Sequence, residues 1–154
     1  MGKNKYIKHF DEWNSLKKEL NDRNDLDNVV VMAKPKDLWW CHVGVNIGSE
    51  QDGKNNEFER PIIVIAKLST STYLVVPTTS KFKEDQHRIK TRTHDDKFSF
   101  ALTDQIKVID SKRLKRKIGV IVDDDFILLK NNIITIINCE SPLTGAFSEP
   151  EGTV

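Results

Sequence analysis

The chain has 154 residues, 38% of them hydrophobic and 31% charged, with a formal net charge of +1. Such a length suits one domain with short appendages around one core, and the composition excludes a chain that is disordered throughout or embedded in a membrane. No apolar run approaches the roughly 20 residues that span a bilayer, and no apolar segment follows the opening residues, so no secretory signal is expected and the expected location is cytoplasmic.

From Lys8 to Asn21, Phe10, Trp13, Leu16 and Leu20 recur three to four residues apart with Lys and Glu between them. This spacing predicts a helix with one apolar stripe. The polar, acidic stretch Asn21 to Asn28 reads as a linker, so residues 1–30 are expected to be an appended helix and its connection. From Asp37 the texture changes. Leu38 to Val45 is aromatic and β-branched, and Pro61 to Ala66 is a continuous apolar run short enough for a strand buried on both faces. Further short strands are predicted at Tyr73–Val76, Arg88–Thr91, Phe98–Leu102 and Gln105–Ile109. Short strands between polar turns predict a mainly β fold, a small antiparallel sheet closing into a barrel over residues 31–138. Gly119 breaks the basic segment before it. Asp123 to Ile137 carries two signals: Phe126, Leu129, Ile133 and Ile136 share a helical face, whereas the isoleucines from 133 to 137 favour a strand. Length selects a C-terminal helix, with Asp123 or Asp125 as its cap. Residues 139–154, with Pro, Gly, Ser and Glu, are expected to form a flexible tail.

The near-neutral total argues against a nucleic-acid binder that depends on bulk charge, but the charges are segregated. Lys81, Lys83, Arg88, Lys90 and Arg92 form one basic stretch, and Lys112, Arg113, Lys115, Arg116 and Lys117 a second. Either can attract phosphate locally, and either alone also reads as an ordinary solvated surface. Cys41 and Cys139 are expected to be two reduced thiols. His9, His42, His87 and His94 fall in no ligand spacing, so neither a metal nor a cofactor is expected.

Three stretches place polar groups at strand edges. Arg60 stands before Pro61, which fixes the backbone. Its guanidinium suits either a pentacovalent phosphate or a structural ion pair with Glu50, Glu57 or Glu59. Glu50 lies in the Gly48–Gly53 loop, where it can orient Arg60, accept a proton from a ribose hydroxyl, or only fix the loop. Thr79, Ser80 and Lys81 follow Pro77 at a strand end, as phosphate-contacting groups do and as any closing turn does. Asp104 and Gln105 separate two strands, where an amide can read a base edge or close a turn.

The order and spacing of these stretches resemble the MazF/PemK family of toxin ribonucleases. The features that match are Trp39-Trp40, Gly48 to Gly53, Arg60 to Ile65, Val76 to Lys81, Asp104 to Lys107, Arg113-Leu114 and Lys117-Ile118-Gly119. The chain departs from the pattern at Lys54 to Glu59, which lengthen the loop, and at Leu102, where some relatives have an arginine. The resemblance implies an SH3-like barrel with a C-terminal helix, forming a homodimer and bound by a cognate antitoxin protein. It implies metal-free cleavage of single-stranded RNA by the ribose 2′-hydroxyl. It also assigns Arg60 to phosphorane charge, Thr79 to the phosphate and Glu50 to orienting Arg60. Ser80, Asp104 and Gln105 fall to the bases, with Lys81 beside them. Two other classes share the fold by the same resemblance: a gyrase-poisoning toxin and a non-catalytic SH3-like binding module.

Overall fold

The structure, a computed structural model, describes residues 5–23 and 32–139. The predicted linker and tail therefore lie largely outside the described residues. Among the described residues, seven strands follow one α-helix and precede another. Helix α1 is Phe10–Asp22, and the strands are β1 Asp37–His42, β2 Glu59–Lys67, β3 Thr72–Thr79, β4 Arg88–Arg92, β5 Phe98–Leu102, β6 Lys107–Asp110 and β7 Leu114–Val120. Helix α2 is Asp123–Ile137. The fold is mainly β, as expected.

The strands run in the order β4-β5-β3-β2-β1-β7, with β6 also pairing β3, and every strand pair is antiparallel. Among the described residues, strand ladders do not close the ring. A single bridge, Thr93 to Ile121, links the exits of β4 and β7.

The continuous apolar run of β2 is explained by burial on both faces. Ile62 and Val64 point into one cluster with Cys41, Tyr73, Val75 and Ile109. Ile63 points the other way, with Leu38, Val76 and Ala101, against Phe126, Leu129 and Ile133 of α2. Those three positions lie on one helical face, so α2 caps the second face of the sheet. Ile134 and Ile137 remain exposed. Their β-branched run therefore forms helix, because only every third or fourth position meets the sheet.

Two expectations need correction. Neither Asp123 nor Asp125 caps α2: Val122 takes the N-cap position, and no side chain bonds there. Asp123 instead meets Lys36 Nζ at 2.6 Å, while Asp125 accepts from the Arg92 backbone N at 2.8 Å and from its Nε at 3.2 Å. Both carboxylates still sit at the positive end of the helix dipole. The second basic stretch is also more than a solvated cluster, since Leu114–Val120 forms β7 at the edge of the sheet. Its exposed cations are individually matched: Lys117 meets Asp37 at 2.8 Å, and Arg116 lies 5.3 Å over the Trp40 ring. Lysines on an edge strand also oppose pairing with further strands.

Helix α1 packs against the segment between β1 and β2. Trp13 and Leu20 are buried against Val45 and Phe58 with Leu16 partly covered, whereas Phe10 is left exposed. Trp13 meets Phe58 edge to face at 5.7 Å. Gly44 makes the fit possible: its φ is +87°, and a Cβ there would lie 2.3 Å from Trp13 Cε2. Lys112 Nζ donates to Asn21 O at 2.9 Å, satisfying a carbonyl at the helix end.

Candidate functional site

The register that sets Ile62 opposite Pro77 brings the start of β2 against the end of β3. Arg60 and Thr79 therefore come together although they are far apart in sequence. Both are buried. Arg60 Nε donates to the Asp52 carbonyl at 2.8 Å, and Nη1 donates to the Thr78 carbonyl at 3.1 Å. Thr79 Oγ1 accepts from Lys81 N at 3.3 Å. A cleft of about 470 Å³ is lined by Arg60, Thr79 and Ser80 together with Trp40, Glu59 and Phe98.

The ion-pair alternative at Arg60 is not realised. Among the described residues its guanidinium forms no salt bridge, and Nη2 has no hydrogen-bond partner. The glutamates that competed for it are engaged elsewhere. Lys115 pairs with Glu57 and, at 2.8 Å, with Glu59, while the Glu50 carboxylate accepts from Ile47 N at 3.0 Å. Burial opposes ionisation of Glu59, but hydrogen bonds from Lys115 and Asn55 outweigh it and hold the carboxyl below the usual glutamate range. At Arg60, burial lowers the pKa against the raising fields of Asp52 and Tyr6. The result is a fixed, desolvated cation with one amino group left over, next to a hydroxyl. That arrangement suits charge developing on a phosphate.

Glu50, Asp104 and Gln105 line a second cleft of about 360 Å³ with Gln51 and Lys107. Gln105 Oε1 accepts from Gln51 N at 3.0 Å, tying the turn before β6 to the glycine loop. Glu50 thus sits with the Gln105 group, and the groups that orient Arg60 are the carbonyls of Asp52 and Thr78. Gly53 closes the loop tightly: a Cβ on it would stand 1.9 Å from Phe58 O. Ser80 and Lys81 are exposed beyond β3, and the Lys81 carbonyl accepts from Arg88 Nη1 at 2.9 Å. His42 is a core residue whose Nδ1 donates to the Glu57 carbonyl at 2.8 Å.

Sequence reasoning missed Asp52 and Phe98. Asp52 acts on Arg60 through a main-chain carbonyl, which no side-chain pattern reports. The stretch Phe98–Leu102 was expected as a strand, but nothing in it pointed to the cleft that Phe98 lines.

Among solved structures, MazF from Deinococcus radiodurans aligns at a TM-score of 0.59 with 18% identity, covering 72% of this chain and 99% of that one. An endoribonuclease from a mycobacterial species aligns at 0.55 with 10% identity, covering 72% and 96%. The same kind of enzyme in complex with its cognate antitoxin aligns at 0.54 with 11% identity, covering 71% and 99%. At these identities the likeness establishes the fold. No curated protein matches the chain. The sequence pattern of the PemK-like, MazF-like toxin of type II toxin-antitoxin systems matches residues 34–137. That range holds β1 to α2 and every candidate site residue, and with it the chain belongs to the PemK-like, MazF-like toxin family.

Proposed function

We propose that the chain is the toxin of a type II toxin–antitoxin pair and a metal-independent, sequence-selective endoribonuclease acting on single-stranded RNA. Toxins of this family are generally endoribonucleases. One observation carries the finer reading: a buried guanidinium, oriented by two carbonyls and free of any ion pair among the described residues, stands beside the Thr79 end of β3.

In this mechanism the ribose 2′-oxygen attacks the adjacent phosphorus. The O2′–P bond forms as the P–O5′ bond breaks, leaving a 2′,3′-cyclic phosphate and a 5′-hydroxyl. Arg60 balances the charge on the phosphorane, and the burial that lowers its pKa makes it a better proton donor to O5′. Water takes up the 2′ proton and returns one to Arg60. Thr79 holds a phosphate oxygen, with Ser80 and Lys81 on the next backbone unit. Glu50, Asp104 and Gln105 form the neighbouring cleft for a flanking base, and there Glu50 acts on the loop rather than on Arg60. Incubation of the protein with a long RNA in EDTA, followed by mapping of the ends, tests this reading. Cleavage leaving 5′-hydroxyl ends is expected; absent cleavage, or cleavage only with added Mg²⁺, rejects it.

Phe98 adds a stacking surface to the Arg60 cleft. It is 59% exposed, and the ring of Phe100 stands edge to face with it at 6.2 Å. Lys90 Nζ lies 4.9 Å from its centre. Unstacked bases are read by such rings, each worth about 1–3 kcal/mol. Phe98→Ala is therefore expected to raise KM about tenfold with little change in kcat, measured by steady-state cleavage of a short RNA.

The partners follow from the same reading. The exposed face of α2, with Ile127, Leu128, Ile134 and Ile137, is suited to a second copy of the chain, and sedimentation at micromolar concentration is expected to show a dimer. A cognate antitoxin is the expected protein partner.

A further inference from the structure

We propose that the N-terminal arm, residues 5–9, is part of the working site: Lys8 occupies the Asp52 carboxylate and pins the 46–53 loop, so that Arg60 keeps its guanidinium free for phosphate. The proposal rests on the reading of Arg60 as the charge stabiliser of RNA cleavage. The arm lies outside the residues that match the family, which begin at 34.

Lys8 grips one loop at three points. Its Nζ donates to Asn46 O at 2.5 Å and to Gly48 O at 3.1 Å, and it meets Asp52 Oδ2 at 3.2 Å. Two of the three ammonium donors are thus hydrogen-bonded to loop carbonyls, and the charge is paired with the Asp52 carboxylate. Asp52 in turn serves both cations. Its Oδ1 accepts from Asn46 N at 2.7 Å, its Oδ2 pairs with Lys8, and its main-chain oxygen takes Arg60 Nε at 2.8 Å.

Asp52 is also the main source of negative field at Arg60. One carboxylate between two cations pairs with whichever geometry allows, and here the geometry gives it to Lys8. Without Lys8, a carboxylate that is only 13% exposed loses the cation it is paired with, while Arg60 already feels its field. A guanidinium drawn into a fork with that carboxylate is neutralised and turned from the cleft. Lys8 is therefore a positioning residue that acts through Asp52.

The arm itself is held in place. Helix α1 starts at Phe10 and is fixed by Trp13, which packs on Phe58, and Arg113 lies 5.5 Å over the Trp13 ring. Tyr6, two residues before Lys8, lies close enough to act on the charge of Arg60. The arm thus runs past the site on the side where the loop carries Asp52.

The test uses the full chain, steady-state cleavage of single-stranded RNA in EDTA, and the NMR resonance of the Arg60 Nε–H group. Lys8→Met keeps the aliphatic stem and removes the charge. It is expected to lower kcat about 10- to 100-fold, the scale of a displaced charge stabiliser, with KM changed less than about threefold. Lys8→Arg is expected to retain most of the rate. The double variant Lys8→Met/Asp52→Asn is expected to regain most of the loss, because the competing carboxylate is gone while an amide oxygen still accepts from Asn46 N. The Arg60 resonance should move in Lys8→Met and return in the double variant. An unchanged kcat in Lys8→Met overturns the proposal, and so does a loss that Asp52→Asn leaves unrescued. A wild-type protein that cleaves no RNA refutes the functional reading. The link from Lys8 to Arg60 is then decided by the resonance alone, supported if it moves in Lys8→Met and overturned if it stays.

Discussion

Arg60→Ala is expected to lower the RNA cleavage rate by roughly 100-fold or more, the loss typical when one preorganised charge stabiliser is removed. The size follows from how Arg60 is held. Two carbonyl acceptors, at 2.8 and 3.1 Å, set the plane of the guanidinium before substrate arrives, so little reorganisation is needed as charge builds on the phosphate. Burial keeps water from screening that charge. Arg60→Lys should recover little, because a lysine ammonium cannot satisfy both carbonyls in a fixed plane and still present a donor to phosphate. Single-turnover cleavage of a short RNA with a labelled end measures both variants. A wild-type rate for Arg60→Ala would remove Arg60 from the mechanism, and an active Arg60→Lys would show that charge without fork geometry suffices.

Trp13→Ala is expected to cost about 3–5 kcal/mol of stability, read as a shift of the denaturant midpoint. The indole is 7% exposed and fills the space between Gly44, Phe58 and the Arg113 guanidinium, so its loss leaves a cavity that the strand ends cannot collapse into. Gly44→Ala attacks the same contact from the other side. It adds a Cβ where φ is +87° and the indole lies 2.3 Å away, so it too should destabilise. Lys8→Met provides the contrast. The Lys8 and Asp52 side chains are only 20% and 13% exposed, so losing the contact should cost about 1–3 kcal/mol, less than Trp13→Ala, while the cleavage rate falls. A Trp13→Ala protein as stable as wild type would mean that the packing of α1 does not stabilise the fold.

Much of this chain could be read from its residues in order. Patterns that repeat locally specify elements: the Phe10-Trp13-Leu16-Leu20 stripe is α1, the apolar run behind Pro61 is β2, and Phe126-Leu129-Ile133 is the inner face of α2. The same holds for Arg60, Thr79 and the Asp104-Gln105 pair as a set of polar groups at strand edges, because strand ends are marked by Pro, Gly and hydroxyl residues close in sequence. Strand β7 was hidden, since an edge strand that buries one residue in its basic half carries charges whose partners, Asp37 and Glu59, come from distant parts of the chain.

What the sequence determined by itself is a mainly β domain with a helix at each end and a family-like set of site residues, since these depend on local propensity and spacing. The tertiary structure decided which of those residues meet. Register places Arg60 at Thr79, while the packing of the loops sends Glu50 to Gln105, the glutamates to Lys115 and the Asp52 carboxylate to Lys8. Pairing among charges is a competition settled by distance and burial, and neither quantity exists until the chain has folded.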